Sequence, residues 1–190
     1  MNPVLMDIPE SFDTERLTLR APRFGDGAVL RAAVIENIEH LRPWMPWARE
    51  IPTPEAEEEL VRRGRARYLL REDLWLFIWL KGTETLIGGT GLHRINWEVP
   101  CFEIGYWIGK RYEGQGYVTE TVRGLTDIAF VRLNAERVEI RCDPNNTRSA
   151  AVARRAGYTL EGVLRHNARE PDGTLRDTLV FALIRDEWRR

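Results

Sequence analysis

Chemistry that relies on cysteine or on clustered histidine has little to draw on in this chain. Of 190 residues two are cysteine, Cys101 and Cys142, and three are histidine, His40, His93 and His166. The histidines are scattered without ligand spacing, so no metal site is expected. A chain this long can build its own core, so the two thiols need not pair and are read as plain buried thiols. Long apolar runs are absent too. The longest, Leu74 to Leu80 (L-W-L-F-I-W-L), falls far short of the roughly 20 residues that span a bilayer. The opening M-N-P-V-L-M-D-I-P-E lacks both the basic start and the full apolar stretch of a secretory signal, which makes the cytoplasm the expected compartment. The net charge is only -1. Bulk electrostatics therefore gives no reason to expect a nucleic acid or an anionic membrane as partner. No internal repeat or low-complexity linker divides the chain, and residues 1–190 are read as a single domain.

What is present is an ordinary globular balance, 30% charged and 43% hydrophobic residues. Arg16 to Arg20 alternates as a short strand. Phe24 to Glu39 reads as a helix with Val29, Ala33 and Ile38 among its apolar positions. His40 to Trp47 (H-L-R-P-W-M-P-W) holds two helix-breaking prolines and two tryptophans, and is read as a loop. Thr53 is a natural N-cap, Pro54 suits the first helical position, and the helix they open runs to about Leu70. Leu74 to Leu80 and Thr85 to Ile95 read as paired strands around the turn Lys81-Gly82-Thr83-Glu84. Phe102 to Ile108 is a further strand, aromatic and β-branched. From Tyr117 the period changes: Val118, Val122, Leu125 and Ala129 share one face of a helix ending near Leu133. Arg137 to Cys142 is a strand, Asp143-Pro144-Asn145-Asn146 a turn, and Thr147 to Ala156 a short helix stopped by Gly157. Tyr158 to Arg165 and Leu175 to Ile184 close as strands joined through Pro171-Asp172-Gly173. This order predicts an α/β (α+β) domain with one central sheet and helices on its faces.

The most informative stretch is Arg111 to Glu120, R-Y-E-G-Q-G-Y-V-T-E, where a strand has ended and a helix begins. The free N–H groups of a helix start, with the positive dipole end behind them, attract anions. Gly114 and Gly116 let phosphate oxygens approach without meeting a Cβ, and Arg111 adds positive charge, so the stretch suits a pyrophosphate. The dinucleotide pattern G-x-G-x-x-G fails because its third glycine would fall at Thr119. The P-loop pattern fails because the residue five before Gly109-Lys110 is Ile104. A glycine-rich turn without a ligand is the alternative.

The blocks E-I-G-Y-W-I, R-x-x-G-x-G, G-Y-V-T-E, D-P-N-N-T-R-S and R-R-A-G-Y, in that order, resemble the GCN5-related N-acetyltransferases (GNAT). T-E-R-L-T-L-R-A-P and H-L-R-P-W-M-P-W resemble their RimJ/RimL branch, which acetylates protein N-termini. The resemblance covers roughly Thr14 to Glu187. It implies the GNAT fold, with a single mixed, mostly antiparallel sheet of about six to seven strands and about four helices. It implies acetyl-coenzyme A as co-substrate, with no metal, and places its pyrophosphate on Arg111, Gly114, Gln115, Gly116, Tyr117 and Val118. A homodimer is expected on the same resemblance alone.

Amine acetylation needs a proton acceptor for the amine, a donor for the oxyanion, and help for the departing sulfur. Glu103 sits in a strand of otherwise apolar residues. Burial there would raise its pKa toward that of a neutral-pH base, and the RimJ/RimL branch assigns its glutamate at this place as base. A water-facing or arginine-paired carboxylate is the alternative. The oxyanion donor is expected to be a backbone amide near Trp107 or Ile108, in a strand the family splays around the pantetheine arm. Many family members place a tyrosine on the helix after N-x-x-[AS]; that slot here is Ala153. Ser149 is implied in its stead as hydrogen-bond partner of the sulfur, or it serves only its helix start. Asn146 is implied to contact the pantetheine arm, or acts only as N-cap. Trp44 and Trp47 are the candidates for the acceptor site, or form a lid on the core; Trp97 is a weaker candidate. Glu120 is read as complementing a helix end, and Tyr158 as core. The expected activity is direct acetyl transfer to a primary amine, preferably a protein N-terminal α-amine. A small-molecule amine and a non-catalytic coenzyme A-binding module are the rivals. A nucleic-acid binder lacks the basic balance.

Overall fold

The computed structural model describes residues 2–170 and 173–188. The turn expected at Pro171-Asp172-Gly173 has its first two residues outside the described residues. In chain order the elements are β1 (Ser11–Asp13), β2 (Leu17–Arg20), α1 (Gly27–Leu41), α2 (Pro54–Leu70), β3 (Leu74–Leu80), β4 (Leu86–Asn96) and β5 (Cys101–Ile108), then α3 (Tyr117–Arg132), β6 (Arg137–Cys142), α4 (Thr147–Arg155), β7 (Thr159–Arg169) and β8 (Leu175–Ile184). Two short 3-10 turns, Pro3–Leu5 and Lys110–Tyr112, complete the list among the described residues. The local chemistry explains the boundaries. The Thr53 hydroxyl accepts from the Ala56 N–H to start α2, and Asn146 accepts from the Ser149 N–H to start α4.

All strands form one sheet in the order β1-β2-β3-β4-β5-β6-β8-β7. Its eight strands exceed the expected six to seven because β1 is a three-residue strand with no period to read. Every neighbouring pair is antiparallel except β5 and β6. That parallel pairing covers only Cys101↔Arg137, Phe102↔Val138 and Glu103↔Glu139. Beyond it β5 continues to Ile108 and β6 to Cys142 without pairing, while β6 stays zipped to β8. The sheet therefore splits along the far half of β5.

Alternating side chains give the sheet two separate cores. On one face Ile104, Ile108, Val138 and Ile140 pack under α3 and α4 with Val122, Leu125 and Ala129, three of the four positions expected on the inner face of α3. On the other, Phe77, Trp79 and Trp107 pack with Leu30, Val34 and Val61 of α1 and α2. No helix among the described residues is long and apolar enough to cross a membrane. Cys101 is partly buried and Cys142 buried, and both are free.

Glu120 joins the far ends of this arrangement. Its carboxylate accepts from Thr14 Oγ1 (2.6 Å), the Arg16 N–H (2.8 Å) and Arg16 Nε (2.7 Å), tying the entry to β2 onto the first turn of α3. Burial alone would raise its pKa, but these hydrogen bonds together hold it below the ordinary value. A carboxylate with a folded pKa below its unfolded one stabilises the fold at neutral pH, and that contribution is lost as the pH falls through the folded value. Glu120→Gln is expected to cost about 1–3 kcal/mol at pH 7. The gap to wild type is expected to narrow as the pH falls below the ordinary carboxylate range and through the lowered folded value. Denaturant titrations at pH 7 and pH 3.5 measure both, and a gap that persists in acid would remove the charge from the explanation.

Candidate active site

The glycine loop lies beside the split. Gly114 (φ +72°) and Gly116 (φ +84°) hold left-handed conformations that side chains resist. Gly116 caps α3 without any side-chain hydrogen bond, so the first-turn N–H groups of α3 are left for another partner. A Cβ built at Gly114 would meet nothing within 4 Å. In the same first turn Thr119 Oγ1 is buried with no hydrogen-bond partner. Arg16 steadies the loop by donating from Nη1 to the Gln115 carbonyl (3.0 Å) and lying over the Tyr117 ring (4.5 Å). Gln115 Nε2 in turn donates to the Arg111 carbonyl (2.9 Å). The Arg111 side chain turns outward, 61% exposed, 3.5 Å from Glu36 and stacked on Tyr112. Glu113 is held between Arg148 (2.6 Å) and His40 (3.4 Å), linking the loop to the start of α4.

A cleft of about 1820 Å³ runs through the split. On the α3/α4 side its wall includes Gly114, Gly116, Tyr117, Val118, Asn146 and Ser149. On the α1/α2 side it includes Trp44, Trp47, Leu60, Gly64, Asp73 and Trp75. Residues Gly105 to Ile108 of β5 lie between the two arms. The backbone of β5 alternates in direction. The Gly105 carbonyl accepts from Thr90 Oγ1 of β4 (2.8 Å), and the Gly109 N–H donates to Ile87 of β4 (2.8 Å). Odd positions thus face β4, which turns the Trp107 amide away from the split and the Tyr106 and Ile108 amides toward it.

Ser149 meets an unexpected partner there. Its Oγ lies 2.9 Å from the Tyr106 hydroxyl, which reaches across the split from β5 and also donates to the Ser149 carbonyl (3.2 Å). Burial holds the Tyr106 phenol well above its usual range despite the Ser149 hydrogen bond, so it stays protonated and able to donate. Ala153 is buried and offers no hydroxyl, and the phenol that meets Ser149 is that of Tyr106. Tyr158 is core, bonded to Thr126 Oγ1 at 2.7 Å.

Glu103 is placed just off the cleft wall. Its Oε2 stands 3.3 Å from Arg94 Nε and 3.4 Å from Arg141 Nε, is buried, and makes no hydrogen bond. The two arginines pull its pKa down, but desolvation is the larger effect and the carboxyl is raised above its ordinary value. Both readings of Glu103 therefore have a physical basis: it is raised and also arginine-paired. Directly opposite it on β4 stands His93, which does line the cleft. Sequence reasoning passed over His93 and Tyr106. His93 depends on Asp73, 20 positions away, and Tyr106 on Ser149, 43 away, so no local motif announces either pair. Trp47 is 51% exposed and packs edge-on against Trp107 (6.0 Å). Trp97 is spent on structure, donating to the Arg71 carbonyl (3.0 Å) and packing on Phe102.

A helix start with uncapped N–H groups, a glycine cradle, an orphaned hydroxyl and a split strand form a socket for a long phosphorylated arm. Such a socket suits the pyrophosphate and extended arm of a coenzyme A thioester, the donor of one class of group transferase. The chain belongs to the GNAT acetyltransferases: the family model described as "Acetyltransferase (GNAT) domain" matches residues 16–159. Acetyl-coenzyme A is its co-substrate, and the chain is an N-acetyltransferase. It is 29% identical over 183 residues to "Uncharacterized N-acetyltransferase p20" of Bacillus licheniformis, covering 94% of this chain and 98% of that protein. It is 28% identical over 173 residues to the "Ribosomal-protein-serine acetyltransferase" of Escherichia coli (strain K12), covering 91% and 95%. A solved structure described as a probable acetyltransferase superposes with a TM-score of 0.87 at 28% identity, covering 94% and 98%. The sequence likeness to the RimJ/RimL branch stands with these relatives.

A ligand at about 100 times its dissociation constant adds roughly 2.7 kcal/mol to stability. Acetyl-coenzyme A is accordingly expected to raise the melting temperature of the wild type. In Gly116→Glu the added Cβ and charge occupy the cradle, and the rise is expected to vanish while the unliganded variant still melts cooperatively. A rise of equal size in the variant would mean that the phosphates bind elsewhere.

Proposed function

We propose that the acceptor is the α-amine at the N-terminus of a protein. The observation that carries this reading is the α1/α2 arm of the cleft. A small-molecule site occupies roughly 300–1,000 Å³, and the cleft of about 1820 Å³ leaves room for a chain end beside the co-substrate. The likeness to the Escherichia coli enzyme, named for a ribosomal protein, supports the same class. Trp44 and Trp47 flank the peptide in this reading, with Trp47 steadied by Trp107.

When bound, acetyl-coenzyme A supplies an acetyl group activated as a thioester. The residues that would hold it are Gly114 to Val118 and the α3 start at the pyrophosphate, with Arg111 and Gln115 shaping the loop from behind. Asn146 faces the pantetheine arm; its Oδ1 is already engaged by Ser149, which leaves the amide nitrogen to donate. The Ile108 N–H, directed into the split, is the oxyanion donor. Ser149 donates to the departing sulfur once Tyr106 turns its single proton from the Ser149 carbonyl onto Ser149 Oγ. Glu103 draws the proton from the amine through a water or a neighbouring group, burial making it a stronger base than an exposed carboxylate. The amine attacks directly, and neither thiol is needed as a nucleophile.

Acetylation of short peptides with varied first residues, beside polyamines, aminoglycosides and free amino acids, tests the acceptor. Peptides are expected to give the higher kcat/KM; a preference for a small amine would overturn the reading. Glu103→Gln is expected to lower kcat by about 10²-fold, and unchanged turnover would remove Glu103 from the proton path.

A further inference from the structure

The α1/α2 arm of the cleft contains a second titratable pair. His93 Nδ1 lies 2.8 Å from Asp73 Oδ2, and both residues are on the cleft wall. A carboxylate only accepts, so in the neutral ring this contact places the proton on Nδ1 and leaves Nε2 as the lone pair. Nε2 has no hydrogen-bond or ion-pair partner among the described residues. The ring also has a defined seat. Gly91 and Gly105 face each other across β4 and β5, and the imidazole lies over both. A Cβ at Gly91 would come within 2.7 Å of His93 Cε1, and one at Gly105 within 3.1 Å of Cδ2 and 3.3 Å of Nε2. Glycine in the middle of paired strands is costly; at 105 only the imidazole stands in the way of a Cβ, while at 91 the Leu74 carbonyl (2.8 Å) stands there beside it. Nε2 is thereby held between the two glycines, 2.9 Å from the Cβ position of Gly91 and 3.3 Å from that of Gly105. The next residue, Tyr106, reaches Ser149 on the opposite face.

We infer that His93 is the group that takes the proton from the acceptor amine, with Asp73 as its positioning residue and Glu103 stabilising the resulting imidazolium. This inference rests on the N-acetyltransferase reading above and names the neighbouring group through which Glu103 acts. In the step, the acceptor ammonium gives one N–H proton to His93 Nε2, forming a neutral amine and an imidazolium. The amine lone pair then forms the N–C bond to the thioester carbonyl carbon, the C–S bond breaks with its electron pair on sulfur, and the second N–H proton neutralises the thiolate. The charged groups around the imidazole are Asp73, Glu103 opposite it on β5, and Glu139, Arg141 and Arg94 around Glu103. Arg63 and Arg67 of α2 line the same arm.

The test uses whichever acceptor, peptide or small amine, the wild type turns over best. His93→Gln is expected to lower kcat about 10²-fold at pH 7. The thermal shift with acetyl-coenzyme A is expected to stay at the wild-type value, and the rate to recover as the pH rises and the amine deprotonates unaided. Asp73→Asn is expected to lower kcat about tenfold at unchanged KM. Nitrogen-15 NMR of histidine-labelled protein reads the tautomer without turnover: Nδ1–H in the wild type, altered in Asp73→Asn. A wild-type Nε2–H tautomer would overturn the proposal. So would a His93→Gln variant with the wild-type rate and pH profile while Glu103→Gln is slow, since the amine would then reach Glu103 directly. Turnover confined to small amines would sink the protein-acceptor reading while the His93 comparison still stands on that amine.

Discussion

The site depends on a short parallel contact. β5 and β6 pair over three residues, ending at Glu103↔Glu139, and then part. Parallel strands joined by a crossover helix belong in a sheet interior, where each backbone group finds a neighbour. Here the far half of β5 has a neighbour on one side only, and its even-numbered amides face an open gap. The divergence persists because each strand is held from its other side, β5 by six consecutive partners in β4, Gly88 to His93, and β6 by β8. The unsatisfied edge exists because the remainder of the sheet is fully zipped.

Everything that bears on chemistry is arranged around that gap. α3, the crossover between β5 and β6, begins where β5 has just ended, so its uncapped N–H groups stand at the mouth of the split. α4 follows β6 and brings Ser149 to the other bank, where Tyr106 meets it. The second face of the sheet contributes a different set, with Glu103, His93 and the arginines around them where α1 and α2 leave the strands uncovered. The loop itself is steadied from a distance, through Arg16 and Glu120.

Much of this was legible in the sequence, and the parts that were not share a cause. Periodicity located α3 through Val118, Val122, Leu125 and Ala129, and cap chemistry located α2 through Thr53 and Pro54, because these signals are local. The glycine loop was legible for the same reason: two left-handed residues before a helix imply an anion site without reference to anything remote. β1 was missed because three residues carry no period. Trp97 reads as an acceptor-site candidate because a sequence does not show that its indole is spent on the Arg71 carbonyl. Glu103 was legible as a buried carboxyl in an apolar strand, but its arginine partners come from β4 and β6. The pairs Tyr106–Ser149 and Asp73–His93 are products of tertiary folding, and the glycines at 91 and 105 gain their meaning only once β4 and β5 lie side by side.

The two cores touch opposite faces of the sheet and share no side chain. Interactions more than about 7–10 Å apart and without common partners are close to additive, within about 0.3–0.5 kcal/mol. Selection can therefore rework the α1/α2 side while the α3/α4 side keeps its stability. The fold is in this sense modular within a single sheet, its two faces free to change independently.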